Sequence, residues 1–210
     1  MAHVAAFVLA GGKSSRMGKD KAFLELDGRT LLERALELAR SVSGEVSVVG
    51  PRAKFAGHGY GPIIEDVFPN CGPLAGIHAA LSASRSALNF ILALDTPFLD
   101  ARFVCYLIEQ AAAGGTMVTA PRTGGQVQPL CAVYRREFAE VAEKALREGR
   151  LKIESLLALV TTRELDDSEL AKMDFDARMF ENLNTPADWE RARAGAASPE
   201  PPVPRRKPPA

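Results

Sequence analysis

The chain is short of cysteine and has no long apolar run, and each shortage removes a class of protein. Its three cysteines, Cys71, Cys105 and Cys131, are odd in number, far apart and outside any CxxC pattern. Neither a disulfide framework nor a structural zinc site is expected, and a reducing cytosol suits such a chain best. No apolar stretch approaches the roughly 18 residues that a membrane span requires. The apolar start from Ala5 to Ala10 lacks a basic leader and runs straight into Gly11-Gly12-Lys13, unlike a signal peptide. Net charge is missing too, since Lys+Arg and Asp+Glu number 26 each. This removes the overall attraction expected of a dedicated nucleic-acid or membrane-surface binder. His3, His58 and His78 show no ligand spacing, so they read as structural or solvated, and no internal repeat is present.

What is present suits one soluble cytoplasmic domain. The 210 residues are 47% hydrophobic and 25% charged, enough to bury an ordinary core without staples. We expect a domain over residues 1–195 and a proline-rich, disordered tail over 196–210. From Ser198 the chain reads SPEPPVPRRKPPA, with six of the fourteen prolines and no apolar period. Such a segment cannot bury enough surface to offset its conformational entropy. A PxxP contact with a partner is the alternative to a solvated tail.

Within the domain, short apolar runs alternate with helical periods. Val4–Leu9 reads as a strand buried on both faces. Thr30-Leu31-Leu32-Glu33 is a capping box before an amphipathic helix. Strands are expected at Glu45–Val49, Pro62–Ile64, Phe90–Leu94, Met117–Ala120 and Leu130–Tyr134. Helices are expected at Pro73–Ser84, 101–113, 136–148 and near 152–160, with a last one from Thr185-Pro186 through Arg193. This alternation predicts an α/β sheet, parallel in its first half, with ligands beyond the carboxyl ends of its strands. The loops after Leu9, Ile64 and Leu94 are where chemistry is expected.

The most informative stretch is Leu9-Ala10-Gly11-Gly12-Lys13-Ser14-Ser15-Arg16-Met17-Gly18-Lys19-Asp20-Lys21. Adjacent glycines let backbone N–H groups approach phosphate oxygens, and the two serines add hydroxyl donors. Lys13, Arg16, Lys19 and Lys21 place four cations within nine residues, partly countered by Asp20. A solvated turn would explain Gly-Gly-Lys alone, but cations this dense directly after a buried strand suit a triphosphate. The spacing is not that of a P-loop, because the residue five after Gly12 is Met17 and Asp20 follows Lys19. Nor is there a GxGxxG triplet in the loop.

This loop resembles the LAGGxxxRMxxxxK signature of the nucleotidyltransferase superfamily, and its GGKSSRMGxDK form is most similar to molybdenum cofactor guanylyltransferases. The resemblance implies a three-layer α/β nucleotidyltransferase (Rossmann-like) domain with a mainly parallel sheet. It implies transfer of GMP from GTP to the terminal phosphate of molybdopterin with release of pyrophosphate. It also implies Mg²⁺ as cofactor, and molybdoenzymes or cofactor-insertion chaperones as downstream partners. By the same resemblance Leu9, Ala10, Gly11 and Gly12 meet the nucleotide through their backbone, while Arg16 and Lys21 act on its phosphates.

Later motifs extend the likeness over roughly residues 4 to 193. Ile63-Ile64-Glu65-Asp66 places acids at a strand end, where solvated loop charges are common. The family's IED…GPLAG order makes Asp66 a candidate for holding base or ribose, with Gly72 and Gly76 letting the following helix pass close by. In Phe90-Ile91-Leu92-Ala93-Leu94-Asp95-Thr96-Pro97 a carboxylate sits at the end of a rigid apolar strand. Mg²⁺ is commonly held by one or two carboxylates plus substrate phosphates. The family's DTP motif makes Asp95 that ligand, and a catalytic residue with Arg16 and Lys21; Asp100 is better placed to cap the next helix. Asn182-Leu183-Asn184-Thr185-Pro186 matches the family's NxNTPE, where Asn182 and Asn184 are candidates for phosphate or pterin contacts or for a second metal's shell, or the segment is only a helix entry. Gln128 stands where the family often has histidine.

Two rival readings share these motifs. One is a cytidylyl- or sugar-phosphate nucleotidyltransferase on the same fold. The other is a non-catalytic nucleotide-binding module that delivers cofactor, which has no chemical need for a metal carboxylate such as Asp95.

Overall fold

The computed structural model describes residues 3–12, 20–183 and 185–196; the proline-rich stretch from 197 onward lies outside them. The chain opens with β1 (Val4–Leu9). Its Val4, Ala6 and Val8 pack on one side of the sheet, and Ala5 and Phe7 on the other. This double burial is why the strand reads as an unbroken apolar run. A short antiparallel hairpin follows, β2 (Glu25–Leu26) with β3 (Arg29–Thr30). It leads into α1 (Leu31–Val42), started by the capping box foreseen from sequence. Glu33 donates its N–H to Thr30 Oγ1 at 3.2 Å, and Thr30 donates its own to Glu33 Oε2 at 2.8 Å.

Next come β4 (Glu45–Val49), the single-turn α2 (Arg52–Phe55), β5 (Ile63–Ile64), α3 (Pro73–Ala83) and β6 (Leu88–Ala93). α4 (Ala101–Gly114) is capped by Asp100, which accepts from the Arg102 N–H at 2.7 Å. The second half holds β7 (Val118–Thr123), β8 (Gln126–Val127), β9 (Cys131–Arg135), α5 (Phe138–Arg147), α6 (Ile153–Leu157), β10 (Thr162–Leu165), α7 (Asp167–Lys172) and α8 (Pro186–Ala196). A reciprocal box starts α8, with Asp188 N–H on Thr185 Oγ1 at 3.1 Å and Thr185 N–H on Asp188 Oδ2 at 2.8 Å.

The sheet order is β10-β7-β9-β6-β1-β4-β5, with β8 paired to β7. β5, β4, β1 and β6 are parallel neighbours, and β10 is parallel to β7. β9 and the short β8 run against the rest. α1 and α4 cover one face, while α3, α5 and α6 cover the other, giving the expected three layers.

Some boundaries differ from the sequence reading. The strand expected at Phe90–Leu94 begins at Leu88 and ends at Ala93. Asn89 is tolerated inside it because its buried amide donates to the Ser86 and Tyr134 carbonyls at 3.1 and 3.3 Å. The helices expected at 136–148 and near 152–160 shorten to α5 and α6, and β10 and α7 were not foreseen. Among the described residues no helix is long and apolar enough to cross a membrane.

Candidate active site

Four parallel strands end on one edge, and their following residues form the site. Ala10 donates its N–H to Val49 O at 2.9 Å, and Gly50 donates to Ile64 O at 2.9 Å. The segments leaving β1, β4 and β5 therefore run side by side. Gly11 lies so close that a Cβ there would stand 3.4 Å from Gly50 Cα and 3.9 Å from Asp66 Oδ2. Leu9 is half-buried beneath α3, 3.3 Å from where a Cβ on Gly76 would be, and Ala10 is buried. Gly11 and Gly12 are exposed, leaving their backbone open to a ligand. Asp66 faces them from the rim, and partial desolvation lifts its carboxyl above the usual range.

Across this edge lies a second group. Asp95 is half-buried in the turn just beyond β6. Its carbonyl accepts from Leu183 N–H at 2.9 Å, which brings the segment before α8 against the strand end. Lys21 begins the 3₁₀ turn Lys21–Phe23. Burial lowers its ammonium pKa from the ordinary lysine value, and the negative charges of Asp95 and Asp188 partly offset this. Lys21 and Asp95 thus place a cation and an anion near the end of β6, while Asp66 stands beside Gly11 beyond the ends of β1, β4 and β5. Arg16, Asn184 and the other loop residues Lys13, Ser14, Ser15 and Lys19 lie outside the described residues.

Residues 6–166 match the model of the MobA-like NTP transferase domain. The chain belongs to the MobA-like NTP transferase family. Two relatives support the placement. A probable molybdenum cofactor guanylyltransferase of Pelotomaculum thermopropionicum is 34% identical over 190 residues, covering 90% of this chain and 91% of the relative. The molybdenum cofactor guanylyltransferase of Desulfosudis oleivorans is 34% identical over 197 residues, covering 91% and 95%. Among solved structures, the molybdopterin-guanine dinucleotide biosynthesis protein A of Archaeoglobus fulgidus superposes with a TM-score of 0.81 at 28% identity, covering 90% of this chain and 97% of that one.

In this MobA-like domain Asn182 is exposed and lines an open cleft of about 1070 Å³ with Phe98, Phe175 and Arg191; Leu183 and Asp188, which neighbour Asp95 and Lys21, line it too. Gln128 donates its side-chain amide to Thr123 Oγ1 at 3.0 Å, within the connection from β7 to β9. His78 is buried against Phe68 and Ser82, and His58 stacks on Tyr60. Cys131 is buried, and burial with the nearby Asp95 charge pushes its thiol far up, so it is inert at neutral pH.

Two contributors escaped the sequence reading. Gly50 lets the chain after β4 pass Gly11, because a Cβ there would come within 3.1 Å of Gly11 N and 2.9 Å of the Phe55 ring. A glycine directly after an apolar strand was the available signal. Lys54, in the single-turn α2, gave no comparable signal.

Proposed function

We propose that this protein transfers the GMP group of GTP to the terminal phosphate of molybdopterin, releasing pyrophosphate, as a Mg²⁺-dependent cytosolic enzyme. The observation that supports this reading is that the carboxyl ends of the parallel strands carry the Ala10–Gly12 backbone beside Asp66, and Asp95 with its charge acting on Lys21. The names of the relatives and of the structural neighbour supply the substrate class. Three free thiols support a reducing compartment. Molybdoenzymes or cofactor-insertion chaperones would take the product onward.

The residues present suit a hydrated Mg²⁺. No group of three or more His, Cys, Asp or Glu that could hold a metal occurs among the described residues. Mg²⁺ does not demand one, because one or two carboxylates plus substrate phosphates suffice. Asp95 is the carboxylate that would hold it, and the ion would supply Lewis-acid neutralisation of phosphoryl charge.

The protein's own part is positioning and charge. The backbone of Leu9 through Gly12, with Asp66, holds the nucleoside end of GTP. The molybdopterin phosphate oxygen forms its bond to the α-phosphorus as the bond to pyrophosphate breaks. Lys21, with Arg16 by resemblance, stabilises the charge that gathers on the departing pyrophosphate. The attacking phosphate is already an anion, so no general base is required. The His3–Glu45 pair, 3.4 Å apart, lies at the amino ends of β1 and β4, the opposite edge of the sheet. A thermal-shift panel of GTP, ATP, CTP and UTP with Mg²⁺ tests the reading. GTP should stabilise most; selective stabilisation by CTP or UTP would favour the cytidylyl or sugar-phosphate alternative.

A further inference from the structure

We propose that Lys54 is a positioning residue for the nucleotide loop, closing the base of the segment at residues 11–19 by holding both of its ends. Lys54 Nζ donates to the Ala10 carbonyl at 3.2 Å. The same ammonium lies 2.7 Å from Asp20 Oδ1 and 2.6 Å from Oδ2. Ala10 is the residue where the chain leaves β1, and Asp20 is where it enters the turn that bears Lys21. The two contacts come from positions 44 and 34 residues away in sequence, so they exist only in the folded protein.

The surroundings make this more than a surface ion pair. Lys54 lies 4.7 Å from the Phe55 ring centroid and 5.7 Å from that of Phe23. Its side chain is only 18% exposed. A cation over aromatic faces and largely out of water is screened less than an exposed pair, which is ordinarily worth little.

The consequence for the loop follows from peptide geometry. A trans peptide is planar, so fixing the Ala10 carbonyl fixes the opposite direction of the Gly11 N–H, the first exposed donor of the loop. At the other end Asp20 Oδ1 also accepts the Ala22 N–H at 3.1 Å, capping the turn that starts at Lys21. One ammonium thereby couples the first backbone donor of the loop to the base of the turn that presents Lys21. A site prepared in this way loses less freedom when a triphosphate enters. Lys54 acts through these groups, not on the ligand.

The proposal rests on the reading of residues 9–21 as the nucleotide loop, and the test separates the two. Lys54→Met keeps an apolar stem over the rings, Asp20→Asn removes the partner charge, and both are made singly and together in the full chain. In the ligand-free protein, amide hydrogen exchange at Ala22 and Phe23, whose N–H groups are held by Asp20, should quicken about tenfold in Lys54→Met, while β4 and β6 amides stay unchanged. Each single variant should lose about tenfold in kcat/KM for GTP, chiefly through KM, and the double variant no more than the worse single. The KM for molybdopterin should not move, and Lys54→Arg should recover most of the loss. Unchanged exchange at those two amides, or losses that multiply in the double variant, would overturn the proposal. Faster exchange in a protein whose wild type binds no GTP would support the clamp and overturn the functional reading instead.

Discussion

Leu183 donates its backbone N–H to the carbonyl of Asp95 at 2.9 Å, so the turn presenting this carboxylate is held from both sides. β6 anchors it from before, and the segment leading into α8 anchors it through this bond. Backbone held in this way need not rearrange to present its carboxylate, which favours electrostatic stabilisation of a charge brought to it.

Asp95→Asn keeps size and shape but removes the charge that would hold Mg²⁺. The single-turnover rate should fall by about 10²–10³, the usual loss when one such group is removed. Metal-free GTP binding should change little or tighten, since a nearby negative charge is gone. A near-normal rate would shift the metal role to Asp66.

Lys21 should reveal itself through protons. Burial lets its ammonium release a proton at lower pH than ordinary lysine. An arriving triphosphate favours the charged form, so GTP binding in alkaline buffer should draw a proton in. Calorimetry in buffers of different ionisation enthalpy measures this uptake, and Lys21→Ala should abolish it. The same substitution should weaken GTP binding by about ten- to a hundredfold and slow turnover with it.

Asp66 makes the opposite pH prediction. Its carboxyl is raised in the fold by desolvation. Between the unfolded and folded values the native state holds more protons, so stability falls as pH rises through that window. Asp66→Asn should therefore melt higher than wild type at neutral pH, with the gap closing below about pH 4. Weaker GTP binding should accompany the gain in stability.

Much of this arrangement is legible in the sequence because it rests on local signals. The unbroken VAAFVL run, the Thr30–Glu33 box and the Asp100 cap predict β1, α1 and the start of α4 where they occur. Asp95 stands out in the sequence because it directly follows the apolar run Phe90–Leu94, whereas Asp66, preceded by Glu65, stands out only through the family's IED…GPLAG order. The rest depends on tertiary assembly. β10 reads Thr-Arg-Glu-Leu with one fully buried residue, so it gains its strand character from pairing with β7. Lys54 sits on a four-residue helix too short for any period, and its partners Ala10 and Asp20 flank the first loop, far from it in sequence.

Gly50 and Gly76 offer a paired test of close packing. A methyl on Gly50 would meet Gly11 backbone at 3.1 and 3.2 Å, and backbone on a sheet edge cannot retreat. Gly50→Ala should lose about 1–3 kcal/mol of stability and weaken GTP binding. A methyl on Gly76 would meet the Leu9 side-chain tip at 3.3 Å, which can rotate away. Gly76→Ala should be milder on chemical denaturation, and the reverse order would show that the loop base is not the tight point.

The central claim is tested most directly by following the α-phosphorus. GTP carrying radioactive phosphorus at the α position is incubated with molybdopterin, Mg²⁺ and the wild-type protein, and products are separated. The account predicts that label enters the pterin product as a guanine dinucleotide, with one pyrophosphate released for each molecule formed. GTP consumption with no label in the pterin, or transfer of a γ-phosphate label in its place, would contradict it.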